Sequence, residues 1–400
     1  MSKKKMTKKQ REALRKKKHR RRVVLLVVEV LLFAILGTVA YGVVKLDKLD
    51  YTILDQKKLE VYKDTGPYTN IALFGLDSRD AELGEGTRSD TIMICSINNE
   101  TGDVKIVSVF RDTLMQMEDG TYEKANAAYS FGGPEEAISL LNRNLDLDIQ
   151  NYMAVNFNAL VDVIDLLGGL EMDLTVEEVY WLNGYVAETA EAVGKEGEFL
   201  YSEGGHEKLN GIQAVSYARV RYTDGDDFKR AERQRLVLQK VVEKAQKASL
   251  GTLNKIVDKV FPQVSTSLSA TQLMGVAANA LGYKIGETAG FPFDVTTSEQ
   301  IRKHKGSYVV AIGFADNVKQ LHNFLFGEEN YEPSEKVQEI DKDVIYLSGV
   351  DPDDYVNGGQ SSNADSEEYD SDSNSYDSSD YDNEDDNSDS YDDDYDENVE

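Results

Sequence analysis

Three apolar, β-branched runs stand close together early in the chain: NIALFGL (70–76), TIMICSI (91–97) and VKIVSVF (104–110), the last two joined by the turn-forming NNETGD. Runs of this length bounded by turn residues predict central strands. Further on the period changes. PEEAISLLNRNL (134–145) opens with proline at a first helical position and acids in the first turn, which predicts a helix. YMAVNF (152–157) then predicts a strand and ALVDVIDLLGG (159–169) a helix ending at glycines. From Phe228 to Ala248 the spacing predicts a long helix with Asp227 as N-cap and with Arg230, Arg233, Gln234, Val237 and Val241 on one face. Two helices (252–261, 270–281), a strand (308–313) and a helix (317–326) complete the pattern. Strands alternating with helices predict an α/β fold, a sheet covered by helices.

The two ends break this pattern. Residues 1–22 hold thirteen Lys and Arg against one Glu, and residues 351–400 hold twenty-one Asp and Glu with no base, so the net charge of −28 belongs to a strongly dipolar chain. Between head and body, VVLLVVEVLLFAILGTVAYGVV (23–44) would make a helix of about 33 Å, enough to cross a hydrocarbon core of about 30 Å. It is too long for the apolar region of a cleaved signal peptide, which favours an anchor. The basic head predicts a cytoplasmic N-terminus and places everything after residue 45 outside the cell. The single cysteine, Cys95, lies inside an apolar run and excludes an internal disulfide. The tail has almost no aliphatic residues and is expected to stay disordered. The expected organisation is a cytoplasmic basic segment (1–22), a transmembrane helix (23–44), a juxtamembrane linker (45–67), one folded domain (68–330), a linker (331–350) and the acidic tail (351–400).

Candidate chemistry gathers where apolar strands meet loops, the place where open α/β sheets build ligand sites. Asp77, Ser78 and Arg79 follow the first strand, Arg88 and Asp90 precede the second, and Arg111 and Asp112 end the third. A fourth cluster, ARVRYTDGDDFKRAERQR (218–235), sets five arginines around Asp224, Asp226 and Asp227. Guanidinium groups grip phosphate oxygens bidentately, and carboxylates beside them can hold Mg²⁺ or accept a proton. Together these groups supply what phosphoryl transfer needs, which is positioning and charge neutralisation; taken singly, each is also readable as an ion pair or loop charge. No Walker A, HExxH, GxSxG or CxxC sequence occurs, and the four histidines are scattered.

GLDSR, RSDTIM, VFRDT, KANAAYSFGG, DLLGGLEMDL, GGHEKLNGIQAVSYARVR and DFKRAERQRLVL, in this order behind one apolar segment, resemble the LytR-CpsA-Psr family of Gram-positive bacteria. The match is close over 68–245 and looser to about 330. The resemblance implies an extracellular three-layer α/β/α domain with a central mixed sheet. It also implies transfer of a glycopolymer, such as wall teichoic acid or capsule, from a polyprenyl pyrophosphate carrier to peptidoglycan. It makes Asp77 and Asp90 the Mg²⁺ ligands, either of which could instead serve as base. Arg88, Arg111, Arg219 and Arg221 would hold the pyrophosphate, with Asp227, Arg230 and Gln234 completing the head-group site. The carrier lipid would lie in an apolar tunnel lined by residues such as Phe157, Leu160, Ile164, Val237 and Val241. One departure is Phe110, where the family has proline before the Arg-Asp pair.

The expected activity is therefore that of a membrane-anchored Mg²⁺-dependent phosphotransferase, catalytic through Asp77, Asp90 and Arg111, with the membrane as a partner and no nucleic acid. Alternatives are a polyprenyl pyrophosphate hydrolase using water at the same site, or a non-catalytic wall or lipid anchor. A transcriptional attenuator fits poorly, since 22 cytoplasmic residues are too few for a DNA-binding fold.

Overall fold

The computed structural model describes residues 48–76, 83, 86–221, 226–280, 282–302 and 304–356. The basic head, the span expected at 23–44 and the tail beyond Val356 lie outside the described residues. Among the described residues no helix is long and apolar enough to cross a membrane.

A two-residue strand, β1 (Asp50–Tyr51), precedes an antiparallel meander of β2 (Tyr68–Leu76), β3 (Ser89–Asn98) and β4 (Asp103–Val109). Side chains alternate along a strand, and here both faces are apolar. Ala72, Phe74, Ile92, Ile94, Val107 and Val109 enter one core, whereas Ile71, Met93, Ile97, Val104 and Ile106 enter another on the opposite face. A hairpin, β5 (Leu114–Gln116) with β6 (Tyr122–Lys124), leads into α1 (Ala127–Leu145), β7 (Asn151–Asn156) and α2 (Phe157–Leu166). Next come β8 (Leu170–Leu174), α3 (Val176–Val193), β9 (Gly205–Leu209), α4 (Gly211–Arg219) and α5 (Asp226–Gln246). The chain continues through α6 (Leu250–Val260), β10 (Val264–Thr266), α7 (Ala270–Asn279) and β11 (Lys284–Phe291). It ends with β12 (Val295–Ser298), β13 (Tyr308–Ala311), α8 (Phe314–Phe326), α9 (Glu335–Ser348) and a last turn, α10 (Pro352–Val356).

The central sheet has the order β1-β10-β7-β2-β3-β4-β11 and is mixed, with β2–β7, β4–β11 and β1–β10 parallel and the remaining neighbours antiparallel. Residues of α1, α8 and α9 fill the core on one face, while Leu238 of α5 and Leu273 of α7 pack on the other. This is the expected three-layer α/β domain. The strand at 308–313 differs from expectation: it pairs with β12 in a separate two-stranded sheet. The helix expected from Pro134 starts seven residues earlier and kinks at Gly132 and Gly133, where Gly133 adopts φ 62°, a backbone open to glycine.

Residues 331–350, expected as a linker, are instead held against the body. Asp146, in the left-handed conformation that ends α1, accepts hydrogen bonds from the Tyr331 hydroxyl (2.9 Å), the Ser334 amide (2.7 Å) and the Ser334 hydroxyl (2.7 Å). Ser334 then caps α9, accepting from the Val337 amide. Val337, Ile340 and Val344 are buried in the core. Their i, i+3, i+7 spacing was readable; the high charge of the segment masked it. Burying each contributes about 1.5–3 kcal/mol, so a chain ending at Glu332 forfeits a large part of a typical 5–15 kcal/mol stability. Such a truncation is expected to lower the melting temperature by more than about 10 °C, and calorimetry showing an unchanged transition would refute the packing role.

Candidate active site

The register of the meander sets Leu76, the start of β3 and the end of β4 at one edge of the sheet, since Leu76 pairs with Ser89 and Ile92 with Val109. Arg111 follows β4 directly and draws carboxylates from three segments. Its Nη1 donates to Asp90 Oδ1 at 2.9 Å, and its Nε lies 3.4 Å from Asp112 and 3.8 Å from Asp227. Burial opposes the charge on Arg111, but these three carboxylates outweigh it and raise the guanidinium above its ordinary range. Asp227, in the first turn of α5 and not its N-cap, also meets Arg230 Nη1 at 3.1 Å and Arg221 Nε at 3.4 Å. Arg230 is 5% exposed. Burial pulls its pKa down to about 10; Asp227 counteracts this, and the neighbouring Arg111 and Arg221 add to it. Three guanidiniums and three carboxylates thus interlock, with Lys124 from β6 adding a fourth cation 3.0 Å from Asp112.

Phe110 explains how α5 is held at this edge. Its ring packs edge-on against Phe228 at 4.7 Å between centroids, and its amide donates to Phe291 O at 3.0 Å. The ring fills the space over Gly290 of β11, where any Cβ would collide with it. The departure from proline is therefore accommodated by a glycine 180 residues away in sequence.

Beside the charged cluster lies an apolar cavity of about 190 Å³ between the sheet and α2, α4 and α5. Leu73, Met93, Phe157, Leu160, Val215 and Val237 are among its walls. Thr91 and Gln234 border both this cavity and the small gap inside the ion-pair cluster, so the two are contiguous. Gly75 is also on the wall, where a Cβ would press on Thr91.

Asp90, Arg111, Arg221, Asp227 and Arg230 are thus joined by direct ion pairs, with Gln234 at their edge. Arg219 is placed differently: it lines the apolar cavity, donates to Thr189 Oγ1 (2.9 Å) and pairs with Glu188 (2.6 Å). Arg88 is exposed and forms no ion pair among the described residues. Arg233 turns to Glu178 and the Val220 carbonyl. Of the tunnel residues, Phe157, Leu160 and Val237 line the cavity; Ile164 is buried in the core formed by α2, α3 and α4, and Val241 packs against that same core. Asp77 lies outside the described residues. Lys124 was not foreseen, because it sits on a hairpin with no apolar periodicity to place it.

Among the described residues no group of three or more His, Cys, Asp or Glu side chains is placed to hold a metal ion. Mg²⁺ bound with substrate phosphates needs only one or two carboxylates. Asp90 fits that use, being partly exposed with a single described hydrogen bond, at a strand start paired with the residue preceding Asp77.

The LytR_cpsA_psr family description matches residues 37–321. A polyisoprenyl-teichoic acid–peptidoglycan teichoic acid transferase, TagU, of Enterococcus faecalis is 29% identical over 257 residues, covering 62% of this chain and 79% of the relative. Its namesake from Halalkalibacterium halodurans is 32% identical over 217 residues, covering 53% and 65%. Among solved structures, protein gbs0355 from Streptococcus agalactiae aligns with a TM-score of 0.54 at 25% identity, over 67% of this chain and 90% of that one.

Proposed function

This chain belongs to the LytR-CpsA-Psr family, and from that premise we propose that it moves a glycopolymer from a polyprenyl pyrophosphate carrier to peptidoglycan. The observation that carries this reading is the contiguity of the Arg111 cluster with the apolar cavity through Thr91 and Gln234. A polyprenyl diphosphate has the same two parts, an anionic head and an apolar chain.

The diphosphate would exchange for the carboxylates on Arg111, Arg221 and Arg230, whose fixed guanidiniums neutralise charge on the non-bridging oxygens. A wall sugar hydroxyl then attacks the sugar-proximal phosphorus. The new O–P bond forms as the bond to the bridging oxygen breaks, polyprenyl phosphate leaves, and the hydroxyl proton passes to a carboxylate or to solvent. Asp90, with Asp77, would hold Mg²⁺, which when bound supplies further neutralisation of the diphosphate. The carrier's isoprene chain enters between the sheet and α2, α4 and α5. A membrane anchor at 23–44 with the body outside the cell would put this cavity on the side of the wall, and protease added to intact protoplasts should then digest the body.

The test is product analysis with full-length protein in micelles, a lipid-linked glycopolymer and peptidoglycan. Release of polyprenyl phosphate should require the wall acceptor and yield a covalent phosphodiester. Release at the same rate without acceptor, giving free glycopolymer phosphate, would replace transfer by hydrolysis.

A further inference from the structure

Around Arg219 the surface becomes aromatic. Its guanidinium lies 5.0 Å from the ring of Phe157 and 5.5 Å from that of Tyr185 on α3. One turn earlier on the same helix, Trp181 meets the ring of Tyr180 edge-on at 5.0 Å, and Tyr180 is 69% exposed. The chain after α3 then runs back antiparallel along the helix as a strap. Gly197 lies so close to Val186 and Ala190 that a Cβ would touch both side chains, and Gly204 abuts the backbone of Leu174 and Val176. Between these points Leu200 exchanges two hydrogen bonds with the Asn183 amide, at 2.8 and 2.9 Å. The fixed strap presents Phe199, 49% exposed, and Tyr201, 91% exposed. Three exposed aromatic side chains on one helix and on the strap fixed to it mark a surface for a partner.

Charge decides what it can bind. Residues 171–207 hold ten carboxylates and one lysine, and that lysine, Lys195, is paired with Asp162 at 2.8 Å. Glu178 and Glu188 are paired with Arg233 and Arg219, and the remaining carboxylates leave this segment acidic, which repels anionic lipid headgroups and phosphate-rich polymers alike. An uncharged sugar chain meets no such repulsion: pyranose rings offer flat C–H faces to aromatic rings, and their hydroxyl and acetamido groups can bond to tyrosine hydroxyls and carboxylates. Tyr185 meets Arg219, which with Phe157 is on the cavity wall, so a chain bound along α3 can end next to the proposed phosphoryl site.

We infer that α3 and its strap bind the glycan strand of the acceptor, an uncharged β-linked N-acetylhexosamine chain, and feed one of its hydroxyls toward the phosphorus. The inference rests on the transfer reading given above and assigns the acceptor side of it.

The chain contains a single tryptophan, so Trp181 reports on this surface directly. Full-length protein in micelles is titrated with chitohexaose, a β-1,4-linked N-acetylglucosamine oligomer, while indole emission is followed. A saturable spectral shift is expected, with a midpoint insensitive to salt. Tyr180→Ala and Tyr201→Ala, both at exposed positions, should each weaken binding roughly fivefold to tenfold. No saturable shift, or undiminished binding in both variants, overturns the inference. A shift produced by phosphatidylcholine vesicles and not by the oligosaccharide overturns it in favour of a membrane contact. The titration needs no turnover: a chain that transfers glycopolymer without binding chitohexaose fails here alone, whereas one that binds it but never releases polyprenyl phosphate fails the transfer reading.

Discussion

Arg111→Lys is expected to slow glycopolymer transfer by about a hundredfold to a thousandfold while leaving a folded protein. Arg111 spans Asp90, Asp112 and Asp227, which lie on separate segments, and no single-point cation can hold all three directions at once. Lysine keeps the charge, and so keeps most of the neutralisation that lets three carboxylates sit together. It loses the planar fork that would grip two phosphate oxygens, and removal of one preorganised donor in other acyl- and phosphoryl-transfer sites costs about that factor. The measurement is polyprenyl phosphate release at saturating donor, alongside thermal melting. A loss smaller than about tenfold would make Arg111 a structural tie and remove it from the site.

The second large effect comes from filling the cavity. Ala218, near the end of α4, lies on the wall of the 190 Å³ space with Leu73, Leu160 and Val237. Dry apolar cavities of about 150 Å³ accept a benzene ring, so a phenylalanine at 218 has somewhere to go. Where small-to-large changes in a packed core cost about 1–3 kcal/mol, this one should be neutral or slightly stabilising, because it fills a void. Ala218→Phe should therefore melt no lower than the parent yet lose roughly a hundredfold or more in transfer from a long-chain donor, as the isoprene units lose their place. Full transfer by a normally melting variant would show that the lipid runs elsewhere.

A third expectation concerns pH. Burial lowers the pKa of His322 from its ordinary 6.5, outweighing the Leu145 carbonyl and the carboxylates of Glu328 and Asp146 nearby. The unfolded chain thus takes up a proton more readily than the folded one, so stability falls as pH drops below about 6.5. His322→Gln should flatten the dependence of melting temperature on pH in that range, and parallel slopes would contradict it.

Much of the architecture could be read from the chain because β2, β3 and β4 are apolar on both faces and long enough to be unambiguous. β11 was missed: its KIGETAGF carries three polar residues and two glycines, as an edge strand can. The site was legible where charges flank strand ends, at Asp90 and Arg111, and where a helix period places Asp227, Arg230 and Gln234 together. It was not legible where neighbours in sequence diverge in space. Arg219 ends α4 and points to the cavity wall, whereas Arg221, two residues on, reaches the cluster. Ile164 and Phe157 share a helix, yet one turns into the core of helices and the other toward the apolar cavity.

The parallel pairing of β11 with β4 bears on the order in which the molecule assembles. Phe110 takes its backbone partner from Phe291 and its ring space from Gly290, so the loop carrying Arg111 acquires its final support only when residues 284–291 have docked. Contacts between segments so distant in sequence form late, since the long intervening loop must close first. A chain emerging from its N-terminus would have all of the cluster's arginines in hand well before it could aim them. The loop that carries Arg111 therefore gains its last support only once β11 has been made, more than fifty residues after Arg230.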